Sequence, residues 1–161
     1  MTTQTIVFGL VTFLHDLFTA VWIGSLITLG FSVMPSVKKV LEKGPQVKKV
    51  MEEVQNRNKI LVYISIVGLT LTGMLKVNQS SEFMGLFKFG NAYSAVMASK
   101  HILVLIMVAI VLYRSLALAR TSTPEQESLK KALMMINIVL GIIVLLLSGF
   151  AVALSSAVPI A

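Results

Sequence analysis

The sequence has no cysteine, only two histidines and a single tryptophan among its 161 residues. The absence of cysteine excludes disulfides, thiolate metal sites and cysteine nucleophiles. Charged residues are also scarce, at 13% of the chain, whereas 56% of the residues are hydrophobic. Soluble domains usually contain about 25% charged residues. The composition therefore predicts an integral membrane protein.

Four long apolar runs predict an all-α, integral membrane four-helix bundle with up-down-up-down topology. A helix needs about 20 mostly apolar residues to cross a bilayer. No basic residue precedes the first run, so we expect a retained span rather than a cleaved signal peptide. We expect Pro35 to end that span, residues 120–131 to form a polar loop, and residues 1–161 to be one domain. The predicted spans cover about residues 6–34, 60–77, 94–119 and 132–158.

Eleven of the 14 basic residues lie in or beside two of the predicted connections. The positive-inside rule therefore predicts that these connections are cytoplasmic and that both termini lie outside, an N-out/C-out arrangement. Residues 37–59 hold seven of the basic residues and repeat the pattern Val-Lys-Lys-Val at 37–40 and 47–50. We predict a basic amphipathic helical segment there, at the membrane surface. The expected partner is membrane lipid and not nucleic acid.

Both histidines lie inside predicted spans, His15 in the first and His101 in the third. Ionisable side chains are costly at membrane depth and indicate function. The two spans are predicted to run in the same direction, which places both histidines in the outer half of the bilayer. Shared ligation of one metal centre is the prediction. A separate hydrogen-bonding role for each histidine is the alternative.

Two imidazoles favour haem b over a bare metal ion, with copper as the alternative cofactor. Zinc and copper sites need three or four ligands, whereas a porphyrin supplies four nitrogens and needs one or two axial ligands. We expect Trp22 and Gly24 to form part of one wall of a flat slot. Small residues of the spans, Gly68 among them, suit close helix packing or room for a macrocycle. The other cofactor-site candidates, next to or one turn before His101, are Lys100 and Met97.

The pattern Leu14-His15-x6-Trp22-x-Gly24 resembles the opening motif of the CopD-like (copper resistance protein D-like) membrane family. It is also similar to that of its relative, the HemJ-type membrane protoporphyrinogen oxidase. Lys100-His-Ile-Leu-Val-Leu resembles their Lys-led third-span motif, and Thr72-Gly73 resembles the end of a family helix. The resemblance covers the four-span chain. It implies a multi-pass protein of the prokaryotic inner membrane that binds b-type haem through His15 and Lys100.

Departures from these families shape the functional prediction. His101 is the better ligand at neutral pH than its neighbour Lys100, because a lysine must first lose a tightly held proton. We therefore expect His15 and His101 as axial ligands, with Lys100 in reserve. The Pro-Arg and Tyr-His residues of the HemJ-type enzymes are missing after the first motif, which argues against porphyrinogen oxidation. Residues 78–93 contain no histidine and one methionine, which argues against copper import.

The functional prediction is a cytochrome b-like protein that transfers electrons or senses a redox ligand. The alternatives are a haem-dependent oxidoreductase (protoporphyrinogen oxidase-like, or acting on a quinone or an oxygen species), a CopD-like copper transport module, and a structural subunit without a cofactor. The sequence leaves the catalytic residues, the redox partner or quinone, and homo-oligomerisation open.

Overall fold

The computed structural model describes residues 2–41, 44–76, 85, 87–118 and 123–156, and the regular structure among them is entirely helical. Four stretches are long and apolar enough to cross a membrane: Thr3–Val40, Pro45–Lys76, Ala92–Leu116 and Pro124–Ser156. The predicted all-α class is therefore confirmed, and so is the presence of four helices long and apolar enough to cross a membrane. The elements are α1 (Thr3–Thr28), a π-helical turn (Leu29–Val33), α2 (Met34–Val40), α3 (Pro45–Lys76), α4 (Ala92–Leu116) and α5 (Pro124–Ser156).

The first span does not end at Pro35, and that prediction is wrong. The helix continues through the proline to Val40, directly after the π-helical turn. Proline lacks the N–H that bonds the carbonyl four residues earlier in an α-helix. Here the backbone widens first, so that the N–H of Met34 bonds the carbonyl of Leu29, five residues back. Pro35 then occupies one of the first positions of α2, where its missing N–H is tolerated.

The basic segment 37–59, predicted as an amphipathic helical segment, is divided between two helices in the part that the structure describes. Its first residues belong to α2, and from Pro45 onward α3 runs without a break to Lys76. The predicted start of span two at residue 60 therefore lies inside a helix. At a rise of about 1.5 Å per residue, α3 is about 48 Å long, whereas the hydrocarbon core measures about 30 Å. Helix α3 is thus longer than the hydrocarbon core is thick, and its basic end lies in the excess length.

Helix α5 begins eight residues before the predicted span, so the last eight of the twelve residues in the predicted loop 120–131 are helical. A capping box explains this start. The Gln126 N–H donates to the Thr123 hydroxyl, and the Thr123 N–H donates to the Gln126 side-chain oxygen, each at 3.4 Å. Pro124 follows as the first helical residue, a position that proline favours.

The helices form two compact units, Met1–Lys76 and Val77–Ala161. In the first unit α1 packs against α3, and in the second α4 packs against α5. The first pair is antiparallel. His15 bonds Thr72, whereas Phe18, further along α1, packs on Gly68, which precedes Thr72 in α3.

Helix α3 shows the reverse of the packing of a soluble helix. Its large apolar side chains face outward, with exposed fractions between 54% and 60% at Ile60, Ile64, Val67 and Leu71. From Ile60 onward, three of its four buried residues are small or polar, Ser65, Gly68 and Thr72, and the fourth is Val62. Small residues on a packed face with large apolar residues outside are typical of membrane helices. This pattern supports a membrane environment independently of helix length.

Candidate functional site

The imidazole of His15 is held across the α1–α3 interface. Its Nδ1 lies 2.9 Å from the hydroxyl oxygen of Thr72. That hydroxyl donates its only proton to the carbonyl of Gly68 at 2.7 Å. It must therefore accept from the ring, which places the ring proton of His15 on Nδ1. In the neutral imidazole the lone pair that can bind a metal is then on Nε2.

The imidazole of His101 is held within its own helix. Its Nδ1 lies 2.6 Å from the carbonyl oxygen of Met97, one turn earlier in α4. A carbonyl only accepts hydrogen bonds, so Nδ1 must donate. His101 therefore has the same tautomer as His15, again with the lone pair on Nε2.

Both rings have the arrangement that protein metal ligands usually show. A ligating histidine almost always donates its other ring N–H to an oxygen, which fixes the ring orientation and raises its basicity. Thr72 has this role for His15, and the Met97 carbonyl has it for His101. The two histidines belong to different units, so each unit presents one imidazole of this kind.

The remaining predicted residues occupy different environments. Trp22 is 2% exposed, whereas Gly24 lies on the exposed side of α1, where a Cβ would meet nothing within 4 Å. Two residues apart on a helix, they face nearly opposite directions. The structure therefore does not place Trp22 and Gly24 in one wall of a ligand slot. Lys100 is partly buried, and Met97 contacts His101 through its carbonyl oxygen.

Two glycines of α3 lie directly against side chains of α1. The Phe18 ring occupies the space that a Cβ at Gly68 would need, so Gly68 permits close helix packing. A Cβ at Gly73 would lie 3.8 Å from Cε1 of His15, an ordinary van der Waals contact. Gly73 therefore borders the imidazole without being required for it.

The environments of two polar residues, Thr72 and Asn137, were not predicted from the sequence. Thr72 determines the tautomer of His15. The sequence pattern that could have indicated Thr72 is the helical spacing of the small residues Ser65, Gly68 and Thr72 in span two. Asn137 is fully buried in α5, and neither of its amide atoms has a partner among the described residues. The sequence pattern that could have indicated Asn137 is that it has the single amide side chain of the fourth apolar run.

The described residues contain no group of three or more His, Cys, Asp or Glu side chains placed to hold a metal ion. A bare zinc or copper site needs such a group. Axial ligation of haem requires only one or two side chains.

No family model, curated protein or solved structure matches the chain. The resemblance to the CopD-like and HemJ-type families therefore stays a prediction. The two histidines and their hydrogen bonds are therefore the features of this chain that bear on its function.

Proposed function

We propose that this chain is a cytochrome b-like integral membrane protein whose haem b is ligated by Nε2 of His15 and Nε2 of His101. One observation carries the proposal: both imidazoles donate from Nδ1 to an oxygen acceptor, which leaves the lone pair on Nε2. One imidazole with this tautomer is common in proteins. Two of them, as the only histidines of an apolar chain, point to a shared ligand.

Each residue of the proposed site has a distinct task. When bound, haem supplies one-electron redox chemistry. His15 and His101 donate the axial lone pairs, while Thr72 and the Met97 carbonyl keep the rings in the ligating tautomer. His15 lies about 18 Å from the start of α1, and His101 about 14 Å from the start of α4, at 1.5 Å per residue. In the proposed orientation both helices begin at the outer face, and these two distances then suit two ligands of one iron.

Electron transfer is the activity that this ligand set favours. If His15 and His101 both held the haem iron, the chemistry supplied there would be one-electron transfer and not reaction of a substrate at the iron. A haem-dependent oxidoreductase and a CopD-like copper transport module remain the competing functions. Lys100 is the reserve ligand. A quinone or a redox protein would exchange the electron.

The proposal includes an orientation in the membrane. We place both termini outside and the basic ends of α2 and α3 in the cytoplasm, as the positive-inside rule requires. The helices would then cross a prokaryotic inner membrane in up-down-up-down order. The basic residues in the first half of α3 support this orientation, because four of them precede the apolar part of the helix.

Absorption spectroscopy tests the proposal directly. The full chain, purified in detergent from cells supplied with a haem precursor, is measured oxidised and then reduced with dithionite. We expect a sharp Soret band, a resolved reduced α band, and one haem per chain by the pyridine haemochrome assay. His15→Ala and His101→Ala should each abolish the low-spin spectrum.

The Lys100→Ala variant is the matched control, because it removes a cation next to His101 and leaves both imidazoles. We expect it to keep the wild-type spectrum. Loss of the spectrum in Lys100→Ala, with retention in His101→Ala, would assign the ligand to the lysine. A colourless wild-type preparation without haem would refute the proposal, and copper analysis of the same sample would then test the transport alternative.

A further inference from the structure

Two polar side chains are buried without partners, one on α1 and one on α3. Trp22 is 2% exposed and Ser65 is 1% exposed. Neither the indole Nε1 of Trp22 nor the hydroxyl oxygen of Ser65 has a hydrogen-bond partner among the described residues. Buried polar groups are nearly always hydrogen-bonded, so each of these calls for an explanation.

The two groups lie at the same level of the helix pair. His15 bonds Thr72, which sets the register of the antiparallel helices. Trp22 is seven residues after His15, and Ser65 is seven residues before Thr72. Seven residues make about two helical turns, so both side chains keep the face of their bonded neighbour. Trp22 and Ser65 therefore face each other about 10 Å along the helices from the His15–Thr72 bond.

Ser65 differs from the other hydroxyl residues of its helix. Thr70 and Thr72 each donate to the carbonyl four residues earlier, at 2.8 and 2.7 Å. Serine in a helix usually satisfies its hydroxyl in the same way. The Ser65 hydroxyl makes no such bond. Its hydrogen-bonding capacity is therefore available at the interface, on the level of the Trp22 indole.

We propose that a single water molecule is bound between Nε1 of Trp22 and Oγ of Ser65. The indole can only donate, while the hydroxyl can donate and accept. Water complements both, since it accepts from the indole N–H and exchanges a further bond with the hydroxyl. Buried waters usually satisfy otherwise unpaired polar groups in this way. Neither group is charged, so a neutral ligand fits better than an ion at this depth.

The test uses the fact that Trp22 is the only tryptophan. The full chain, labelled with nitrogen-15 and reduced so that any low-spin haem is diamagnetic, gives one indole N–H signal in lipid nanodiscs. We expect a nuclear Overhauser contact between this N–H and a water proton. Ser65→Ala should shift the indole signal upfield and remove the water contact.

Ser25→Ala is the matched control, because that hydroxyl bonds the backbone carbonyl of Trp22 and not the indole. It should leave the water contact in place. The wild-type measurement needs no variant and decides the proposal even if Ser65→Ala fails to fold. An indole without a water contact overturns the proposal. So does an indole shift in Ser65→Ala without any wild-type water contact, which would mean a direct bond between Trp22 and Ser65. None of these outcomes depends on haem binding.

Discussion

His15 and His101 have the same tautomer, but the two units hold them in different ways. His15 is bonded to a residue of another helix, 57 positions away in the sequence. His101 is bonded to the carbonyl four positions earlier in its own helix. The orientation of His15 therefore depends on the packing of α1 against α3. That of His101 depends only on the helix being formed, because local bonds of this kind need no tertiary contact.

The largest expected effect is the loss of haem when either histidine is replaced by alanine. His15→Ala and His101→Ala each remove one of the proposed haem ligands, so the haem content per chain should fall in each. Only His15→Ala also removes a hydrogen bond between helices, a contribution of about 0.6–2 kcal/mol in membranes. Haem content and unfolding of the haem-free chain in a denaturing detergent titration measure the two effects separately.

The control for this pair is the haem-free unfolding of His101→Ala, which should stay close to that of the wild type. Equal destabilisation by the two substitutions would contradict the difference drawn here between the units. It would mean that His101 also stabilises its unit through tertiary contacts.

Replacing Gly68 with valine should weaken the packing that positions His15. The Phe18 ring occupies the space of the new side chain, so the helices or the ring must move. Overpacking of this kind usually costs about 1–3 kcal/mol. Gly24→Val introduces the same side chain on the same hairpin where a Cβ meets nothing within 4 Å. Similar unfolding free energies for the two variants would show that Gly68 is not a packing position.

Replacing Thr72 with valine keeps the shape of the side chain and removes the acceptor for His15. We expect the free energy of unfolding to fall by about 1 kcal/mol. Loss of a hydrogen-bond partner behind a metal ligand typically costs about 10–100-fold in affinity. Haem titration of the haem-free variant would measure this. Thr70→Val is the control, because the Thr70 hydroxyl bonds only its own helix and is exposed. An affinity change shared by both variants would argue against a specific role for Thr72.

Replacing Thr123 with alanine should affect only the start of α5. The substitution removes the hydroxyl that accepts from the Gln126 N–H. Loss of such a capping bond costs about 1 kcal/mol of stability. The bond between His101 and Met97 lies in α4 and should persist, so the haem spectrum should not change. Ser128→Ala, an exposed position one turn into the helix, should have no measurable effect on unfolding. A changed haem spectrum in Thr123→Ala would show that His101 depends on α5 more than its local bond suggests.

Much of the fold could be predicted from the sequence, because hydrophobic runs and helix length are local properties. The incorrect predictions concern the ends of helices. Pro35 was expected to stop a helix that instead widens into a π-helical turn. The start of α5 was missed because residues 124–131 are polar, although Thr123 and Gln126 have the spacing of a capping box. The polar residues 124–131 predict a loop, but in the structure they form the first turns of α5, before its apolar stretch.

The sequence alone determined that the chain has four membrane-length helices and that two histidines are its only imidazoles. Both follow from composition and from the spacing of apolar residues. Only the tertiary structure decided which nitrogen of His15 carries the proton, because its acceptor belongs to another helix. It also decided that Gly68 is a packing position while Gly24 is open. Contacts between distant segments depend on the register of the packed helices, and no local pattern specifies that register.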